Sequence, residues 1–225
     1  MSEPDQLRAL FYYGTLENNF IGAQMVDIYH DRIYQQFFPI LKEGTLAIDI
    51  GANGGLVSMH LSHYFERVIA LEPISSHFDA LTRNLASNNI TNITPIKKAI
   101  YIKDSKLPMG GPEGNRTMRS LHMAIWDNGQ ARETVEAITL ETLFKEQKIE
   151  HVDLLKLDIE GSETEVLAST SFKKVSPKID TIIGETHKWS GRHPQQLIDA
   201  LKSNGYTVVF MPHDDEIFVA RRRNK

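Results

Sequence analysis

The feature that most constrains the fold of this 225-residue chain is a glycine-rich segment, Asp49–Gly55. An apolar run, Leu46–Ile50, leads into it, and a segment with helix-like spacing of apolar residues follows it. A second apolar run, Val68–Leu71, ends at Glu72, which lies 21 residues after Gly51. A strand, a glycine turn, a helix and a second strand that ends in an acid form the frame of a nucleotide-type cofactor site.

Apolar runs and turn residues predict seven strands, separated mostly by helices. The last two runs alternate in polarity and are joined by a short polar turn, so we expect them to pair antiparallel. Repeated β–α units followed by a final hairpin indicate an α/β fold with a doubly wound, seven-stranded, mostly parallel sheet and an antiparallel last strand. The predicted strands are 45–50, 67–72, 93–101, 152–158, 179–185, 206–211 and 216–220.

The chain is predicted to form one main domain with two additions. Residues 1–44 have helical spacing of apolar residues and are predicted to form an N-terminal helical extension. Residues 45–225 form the main domain, within which residues 103–135 are a substrate-side insertion. Residues 103–118 are rich in Gly and Pro and lack a period, which predicts a loop. Asp127–Gly129 predicts a hairpin turn.

Helix signals refine this prediction. A short helix is expected over residues 140–148, and Pro194 fits the first turn of a helix that ends near Gly205. Ser76 with Asp79 is typical of a capping arrangement at the start of a helix, and the segment Ser162–Glu165 has the pattern of a capping box.

Composition excludes several classes of function. The chain contains no cysteine, which removes disulfides, thiolate catalysis and zinc–thiolate sites. Its net charge of −4 predicts no general attraction to nucleic acid. No apolar run is long enough to span a bilayer, and the N-terminus lacks the pattern of a signal peptide, so we expect a cytoplasmic protein without a membrane partner. A homodimer is compatible with the sequence.

The glycine spacing indicates which cofactor the loop binds. A dinucleotide site has the pattern G-x-G-x-x-G, whereas this chain has D-x-G-x-x-x-G, with Asn53 at the second glycine position. S-adenosylmethionine has no phosphate, and its ribose diol suits Glu72. Asp49 either attracts the amino group of the cofactor or braces the loop, and Asn53 bonds the carboxylate or the loop backbone. Gly51 and Gly55 allow close approach of the backbone, although a tight turn without a ligand has the same pattern.

Several segments, in order and spacing, resemble the FkbM-type methyltransferase family over about residues 45–170. They are Ile48–Gly55, Ala70–Pro73, Asn84–Leu85, Asn88–Asn89 and Leu154–Glu163. The resemblance implies a class I methyltransferase fold, S-adenosylmethionine as the cofactor, and most often O-methylation of a hydroxyl on a sugar or a natural product. The acceptor is therefore expected to be a small molecule. The resemblance does not identify that molecule.

Polar residues follow two neighbouring predicted strands. Asp158 and Glu160 leave one strand, and Glu185 and His187 leave the next. Ligands bind at the carboxyl ends of strands in open α/β sheets, so these side chains are expected to converge near the methyl group that is transferred. Asp158 is therefore expected to contact the cofactor as well.

Two hypotheses assign catalytic roles to Asp158, Glu185 and His187. In the first, His187 is the general base that accepts the proton of the acceptor hydroxyl, and a carboxylate orients it. In the second, the three residues bind a divalent metal such as Mg²⁺, although no tight metal-ligand motif is present.

Lys156, inside an apolar strand, either pairs with a carboxylate near the cofactor or extends to solvent. Trp189 is expected to line the acceptor pocket, and Trp126 to pack in the core.

Three other functions remain open. A nucleic-acid methyltransferase is disfavoured, because the chain lacks a broad basic stripe and has Asp158–Gly161 where amino-methylating enzymes of that kind typically have an N-P-P-Y-like motif. An NAD-dependent oxidoreductase is disfavoured by Asn53 and by Leu56 at the third glycine position. A binding module that keeps the fold without the chemistry is the third alternative.

Overall fold

A computed structural model describes residues 43–110, 133–191, 193–211 and 214–223. The strands are β1 Gly44–Ile50, β2 Phe65–Leu71, β3 Ile93–Ile96, β4 Ala99–Ile100, β5 Ser105–Met109, β6 Glu133–Ile138, β7 Val152–Leu157, β8 Ile179–Glu185, β9 Tyr206–Met211 and β10 Asp214–Arg222. The α-helices are α1 Leu56–Leu61, α2 Ser75–Ser87, α3 Leu140–Glu146, α4 Glu163–Ala168, α5 Thr170–Val175 and α6 Pro194–Ser203.

Seven strands form the main sheet, in the order β3-β2-β1-β7-β8-β10-β9. The pairs of β1 with β2 and β7, of β2 with β3, and of β7 with β8 are parallel. Strand β10 pairs antiparallel with both β8 and β9. The predicted seven-stranded, mostly parallel sheet with an antiparallel last strand is therefore confirmed. This order places β1 and β7, whose ends carry the two polar motifs, side by side.

Helices cover both faces of the sheet, so the apolar side chains on each face of the strands are buried. The even-numbered residues of β1, such as Ile48 and Ile50, pack in one cluster with residues of α3, α4, α5 and α6. Ala47 of the same strand packs in a second cluster with Leu56 and Met59 of α1 and Leu81 of α2. The two clusters, one on each face of the sheet, confirm the doubly wound fold. Within the described ranges, no helix combines the length and the apolar character needed to cross a membrane.

The prediction was wrong for residues 93–101 and 105–109. The single strand expected over 93–101 is divided into β3 and β4, which belong to different sheets. The Gly/Pro-rich loop expected from residue 103 contains β5, which pairs antiparallel with β6 in a three-stranded sheet ordered β4-β6-β5. Pro108 is compatible with this strand because β5 lies at an edge, where a missing N–H is tolerated. Met109 and Val135 bury this sheet against Ile74.

Helix capping also differs from the prediction. Helix α2 begins at Ser75, one residue before the predicted cap, because Glu133 of β6 accepts hydrogen bonds from the Ser75 backbone N and hydroxyl. Ser162 occupies the N-cap position of α4, but its side chain makes no capping hydrogen bond. The helix predicted over 140–148 ends at Glu146.

Several predictions lie outside the described residues. They concern nearly all of the 1–44 extension and the middle of the insertion, with Asp127–Gly129 and Trp126. The extension, the main domain and the insertion stay predictions as divisions of the chain.

Candidate functional site

The turn between β1 and α1 requires glycine at two positions. Gly51 has φ 81°, and a Cβ there would lie 1.8 Å from the carbonyl oxygen of Asp158. Gly55 has φ 89°, and a Cβ there would lie 2.3 Å from Cδ1 of Leu81 in α2. Both glycines therefore allow close packing of the turn against the end of β7 and against a helix, in a conformation that other residues adopt only with strain.

Replacing Gly51 with alanine is expected to lower the free energy of unfolding by about 2–3 kcal/mol, because it combines a left-handed conformation with a backbone clash. Gly54→Ala is the matched control. A Cβ at Gly54 would meet only Nδ2 of Asn84, at 3.7 Å, which is ordinary contact. Urea denaturation of both variants measures the difference. Equal stability of the two variants would contradict this account of the turn.

Two asparagines hold the turn by bonding its backbone. Asn53, at φ 50°, accepts a hydrogen bond from the Gly54 backbone N through Oδ1, at 2.8 Å. Asn84 of α2 is buried, and its Nδ2 donates to the Gly54 carbonyl oxygen at 2.7 Å. Of the two roles predicted for Asn53, the structure thus supports the bond to the loop backbone. Asn84 was part of the resemblance, but it was not predicted as a site residue.

Glu72 directly follows β2 and connects two loops. Its Oε2 accepts a hydrogen bond from the Asn53 backbone N, and its Oε1 accepts one from the Ile74 backbone N, both at 2.9 Å. Nδ1 of His77 lies 3.5 Å from Oε1. Each carboxylate oxygen has two acceptor positions, so Glu72 retains the capacity to accept two further hydroxyl hydrogens. This chemistry fits the ribose diol expected at this position.

Asp49 is completely buried and faces Lys156, its register partner on β7. Nζ of Lys156 lies 3.2 Å from Oδ1 of Asp49 and donates to the carbonyl oxygen of Gly51 at 2.9 Å. The hydroxyl of Ser58 donates to the other Asp49 oxygen at 2.5 Å. Asp49 therefore braces the turn from below, which is the second of its two predicted roles.

Lys156 also connects the turn to the end of β7, because its Nζ lies 3.4 Å from Oδ2 of Asp158. Burial by itself would lower the pKa of this lysine, but Asp49 and Asp158 outweigh burial and hold the pKa above its ordinary value. Of the two arrangements predicted for Lys156, the structure thus contains the pairing with a carboxylate. A charged, buried lysine joins the two motifs that the sequence places about 100 residues apart.

The three residues predicted to be catalytic lie together at the carboxyl ends of β7 and β8. Asp158, Glu185 and His187 each offer one atom within 4.8 Å of the other two. Nε2 of His187 lies 3.7 Å from Oδ1 of Asp158 and 3.4 Å from Oε2 of Glu160, and its Nδ1 lies 3.0 Å from Oε1 of Glu163. Both ring nitrogens therefore face carboxylates.

The charges around His187 change the protonation of the site. Burial alone would lower the pKa of His187, but Glu163, Asp158 and Glu160 raise it to about 10. Burial, reinforced by the charge of Asp158, raises the pKa of Glu160 to about 8 and that of Glu185 to about 7. The histidine is thus held in its charged form at neutral pH, and Glu185 titrates there.

Sequence reasoning did not identify Glu163 as a site residue and placed it within a capping-box pattern at the start of a helix. The side chain is buried, and its carboxylate accepts hydrogen bonds from the backbone N of Ile159 at 2.9 Å and of Gly161 at 3.0 Å. A glycine turn directly before a helix, followed by an acid in its first turn, is a local signal that indicates such a role. Trp189 lies edge-on to His187, with ring centroids 5.7 Å apart, which is consistent with its predicted place beside the acceptor.

We call the connected charged residues at these strand ends the strand-end network. Carboxylates outnumber cations in it, and both cations, Lys156 and His187, lie beside carboxylates. Such a set suits a cationic ligand better than an anionic one. The members of the strand-end network are Asp49, Lys156, Asp158, Glu160, Glu163, Glu185 and His187.

Solved structures of similar fold support the architecture. A methyltransferase FkbM from Methylobacillus flagellatus KT has a TM-score of 0.57 at 16% identity, and the match covers 97% of this chain and 58% of that chain. An rRNA methylase from Streptococcus thermophilus has a TM-score of 0.50 at 11% identity, with coverage of 87% and 95%. At these identities the comparison shows the fold alone.

Sequence comparison shows the family. Residues 49–208 match the family described as the methyltransferase FkbM domain. The 31-O-demethyl-FK506 methyltransferase FkbM of Streptomyces tacrolimicus is 26% identical, over 81% of this chain and 80% of that protein. Methyltransferase sdnD of Sordaria araneosa is also 26% identical, over 91% and 92%. The chain therefore belongs to the FkbM methyltransferase family.

Proposed function

We propose that the protein is an S-adenosylmethionine-dependent O-methyltransferase whose acceptor is a hydroxyl group of a small molecule, such as a sugar or another natural product. The observation that carries this proposal is the strand-end network, in which a carboxylate that titrates near neutrality lies beside a charged histidine. Such a carboxylate suits proton removal from a hydroxyl. Membership in the FkbM family supports methyl transfer as the reaction.

The charge of the site supports S-adenosylmethionine over a dinucleotide. The cofactor carries a positive sulfonium and a positive amino group, whereas a dinucleotide carries an anionic pyrophosphate. Carboxyl groups, among them Glu72 and Asp158, outnumber the cations at the strand ends, which favours the cationic cofactor and opposes the pyrophosphate. Glu72 would hold the ribose hydroxyls of the cofactor. The turn that contains Gly51, Asn53 and Gly55 would lie against the remainder of the cofactor. When bound, the cofactor supplies an electrophilic methyl group.

The residues of the chain would then position the acceptor and accept its proton. In-line methyl transfer depends mainly on positioning, and a base assists as the hydroxyl oxygen becomes positive. The sequence suggested His187 as this base. Because both of its nitrogens face carboxylates, we assign the base function to Glu185, with Asp158 beside it, and assign His187 the stabilisation of the carboxylate charges that surround it before the proton is transferred.

Titration calorimetry tests the cofactor, and transfer of a labelled methyl group tests the acceptor class. S-adenosylhomocysteine is expected to bind and NAD is not. A pooled panel of methyl hexopyranosides and hydroxylated macrolactones is expected to accept label, while transfer RNA, duplex DNA and amine-only acceptors are not. Binding of NAD alone would support an oxidoreductase. Binding of neither molecule would support a non-catalytic module.

A metal-dependent mechanism is the second candidate, because Asp158, Glu185 and His187 could hold a divalent ion. The carboxylate oxygens favour this mechanism because they suit Mg²⁺. A metal-binding histidine must be neutral, however, and the surrounding carboxylates favour the charged form of His187. Exhaustive chelation of the active enzyme is therefore expected to leave methyl transfer unchanged. Loss of transfer that added Mg²⁺ restores would establish the metal mechanism instead.

A further inference from the structure

Glu160 has a backbone conformation that glutamate rarely adopts. Its φ is 56°, in the left-handed region, and the next residue, Gly161, has φ 103°. A left-handed conformation strains a residue with a Cβ, and such strain persists only where the surrounding structure imposes it. Glu160 lies at the carboxyl end of β7, the edge at which ligands bind in open α/β sheets.

Glu163 imposes this conformation. The backbone N atoms on either side of Glu160, those of Ile159 and Gly161, both donate to the Glu163 carboxylate, at 2.9 Å and 3.0 Å. The two bonds fix the peptide group before Ile159 and the peptide group after Glu160, so the turn is held without the Glu160 side chain. The Glu163 side chain is only 3% exposed, whereas that of Glu160 is 22% exposed. The buried acid thus holds the turn, whereas the strained acid is partly exposed beside His187.

Glu160 is not needed to balance the charge of His187. Glu163 lies closer to that ring, at 3.0 Å compared with 3.4 Å, and Asp158 lies beside it as well. A third carboxylate at this place adds repulsion with Asp158. A strained acid that the local charges do not require is best explained by a ligand that it contacts.

We propose that Glu160 binds the methyl acceptor by accepting a hydrogen bond from a second hydroxyl, next to the one that is methylated, and that Glu163 is the positioning residue that holds it there. This inference rests on the proposed function, and it narrows the acceptor to a polyhydroxylated molecule. Glu185 and Glu160, both of which lie close to His187, then receive two hydroxyls of one acceptor. Trp189, edge-on to that ring, lies beside them and suits the apolar part of such a molecule.

Glu160→Gly tests the proposal, because glycine adopts a positive φ without strain and removes only the side chain. The variant is expected to melt at the same temperature as the wild type or higher, and to bind S-adenosylhomocysteine within about threefold of the wild-type affinity. Its kcat/KM for methyl hexopyranosides is expected to fall at least about tenfold, mainly through KM, since the hydrogen bond to the acceptor is lost and the acceptor hydroxyl is left without its partner. Glu163→Gln is expected to lower kcat/KM similarly.

Lys148→Gly is the matched control, since Lys148 has φ 53° but is exposed and lies after α3, in a different part of the sequence. It is expected to melt no lower than the wild type and to leave methyl transfer unchanged. A lower melting temperature or weaker S-adenosylhomocysteine binding in Glu160→Gly would overturn the proposal, because it would show a structural role. Unchanged kcat/KM in that variant would overturn it as well. Failure of the wild type itself to bind S-adenosylhomocysteine would instead contradict the proposed function.

Discussion

Replacing Lys156 with methionine is expected to lower the free energy of unfolding by about 3–5 kcal/mol. Removing one partner of a buried ion pair leaves the other charge uncompensated. In this protein the remaining partner is Asp49, which is completely buried and has only the Ser58 hydroxyl as another side-chain hydrogen-bond partner among the described residues. Methionine approximately preserves the volume of the side chain, so the loss reports on charge and hydrogen bonding and not on a cavity. Urea denaturation measures it.

The double variant Lys156→Met/Asp49→Asn is the control for this interpretation. Asparagine removes the buried negative charge, so the double variant is expected to be more stable than Lys156→Met alone. Its loss of stability is also expected to be smaller than the sum of the losses in the two single variants. Lys178→Met removes a lysine that pairs at the surface with Glu150, and it is expected to cost less than about 1 kcal/mol. A similarly small cost for Lys156→Met would show that the network does not stabilise the turn.

The importance of Lys156 explains why the two motifs occur together in the sequence. Asp49 lies near the end of β1, before the glycine turn, and Asp158 follows the neighbouring strand β7. Lys156 lies opposite Asp49 in the parallel register and within ion-pair distance of both acids. Neither motif is complete alone, because the acid of the turn would be buried without a counter-charge. The lysine thus couples the shape of the glycine turn to the position of Asp158.

The main sheet could be predicted because its information is local. Each of β1, β2, β7 and β8 is an apolar run with turn residues at its ends, and parallel strands buried on both faces require such runs. Strand β5 could not be predicted, because its short, proline-containing sequence has weak strand propensity. It forms a strand through pairing with β6, whose Val135 helps to bury it, and that pairing is not visible in the sequence of either segment.

The site was predictable in its positions and less so in its roles. Glu185 and His187 were expected to converge with Asp158 because they follow neighbouring predicted strands, and the structure brings the three residues together. The protonation of His187 was not predictable, because it depends on Glu163. That residue follows a tight turn, and its Oε1 lies 3.0 Å from Nδ1 of His187. An isolated imidazole has a pKa near neutrality. Three carboxylates surround His187 and raise its pKa above that value.

Glu185→Gln is expected to lower the turnover number at least about 100-fold, because the amide cannot accept the proton of the acceptor. The pH dependence of the wild type identifies the base independently. A base acts when deprotonated, so activity rises as the pH passes the pKa of that base. Burial and Asp158 raise the pKa of Glu185 to about 7, which predicts a rise in turnover centred near pH 7. Turnover is measured from about pH 5 to pH 10 with saturating S-adenosylmethionine and acceptor.

The same profile distinguishes Glu185 from His187, since neighbouring carboxylates raise the pKa of His187 to about 10. If His187 were the base, turnover would still be rising at pH 10, and Glu185→Gln would retain most of the activity. If Glu185 is the base, turnover is expected to be level between about pH 8 and pH 9, and Glu185→Gln is expected to lack the rise near pH 7. Glu150→Gln, at an exposed carboxylate paired with Lys178, is the control and is expected to leave the profile unchanged. S-adenosylhomocysteine affinity within about threefold of the wild type in Glu185→Gln would confirm that the loss lies in the chemical step and not in cofactor binding.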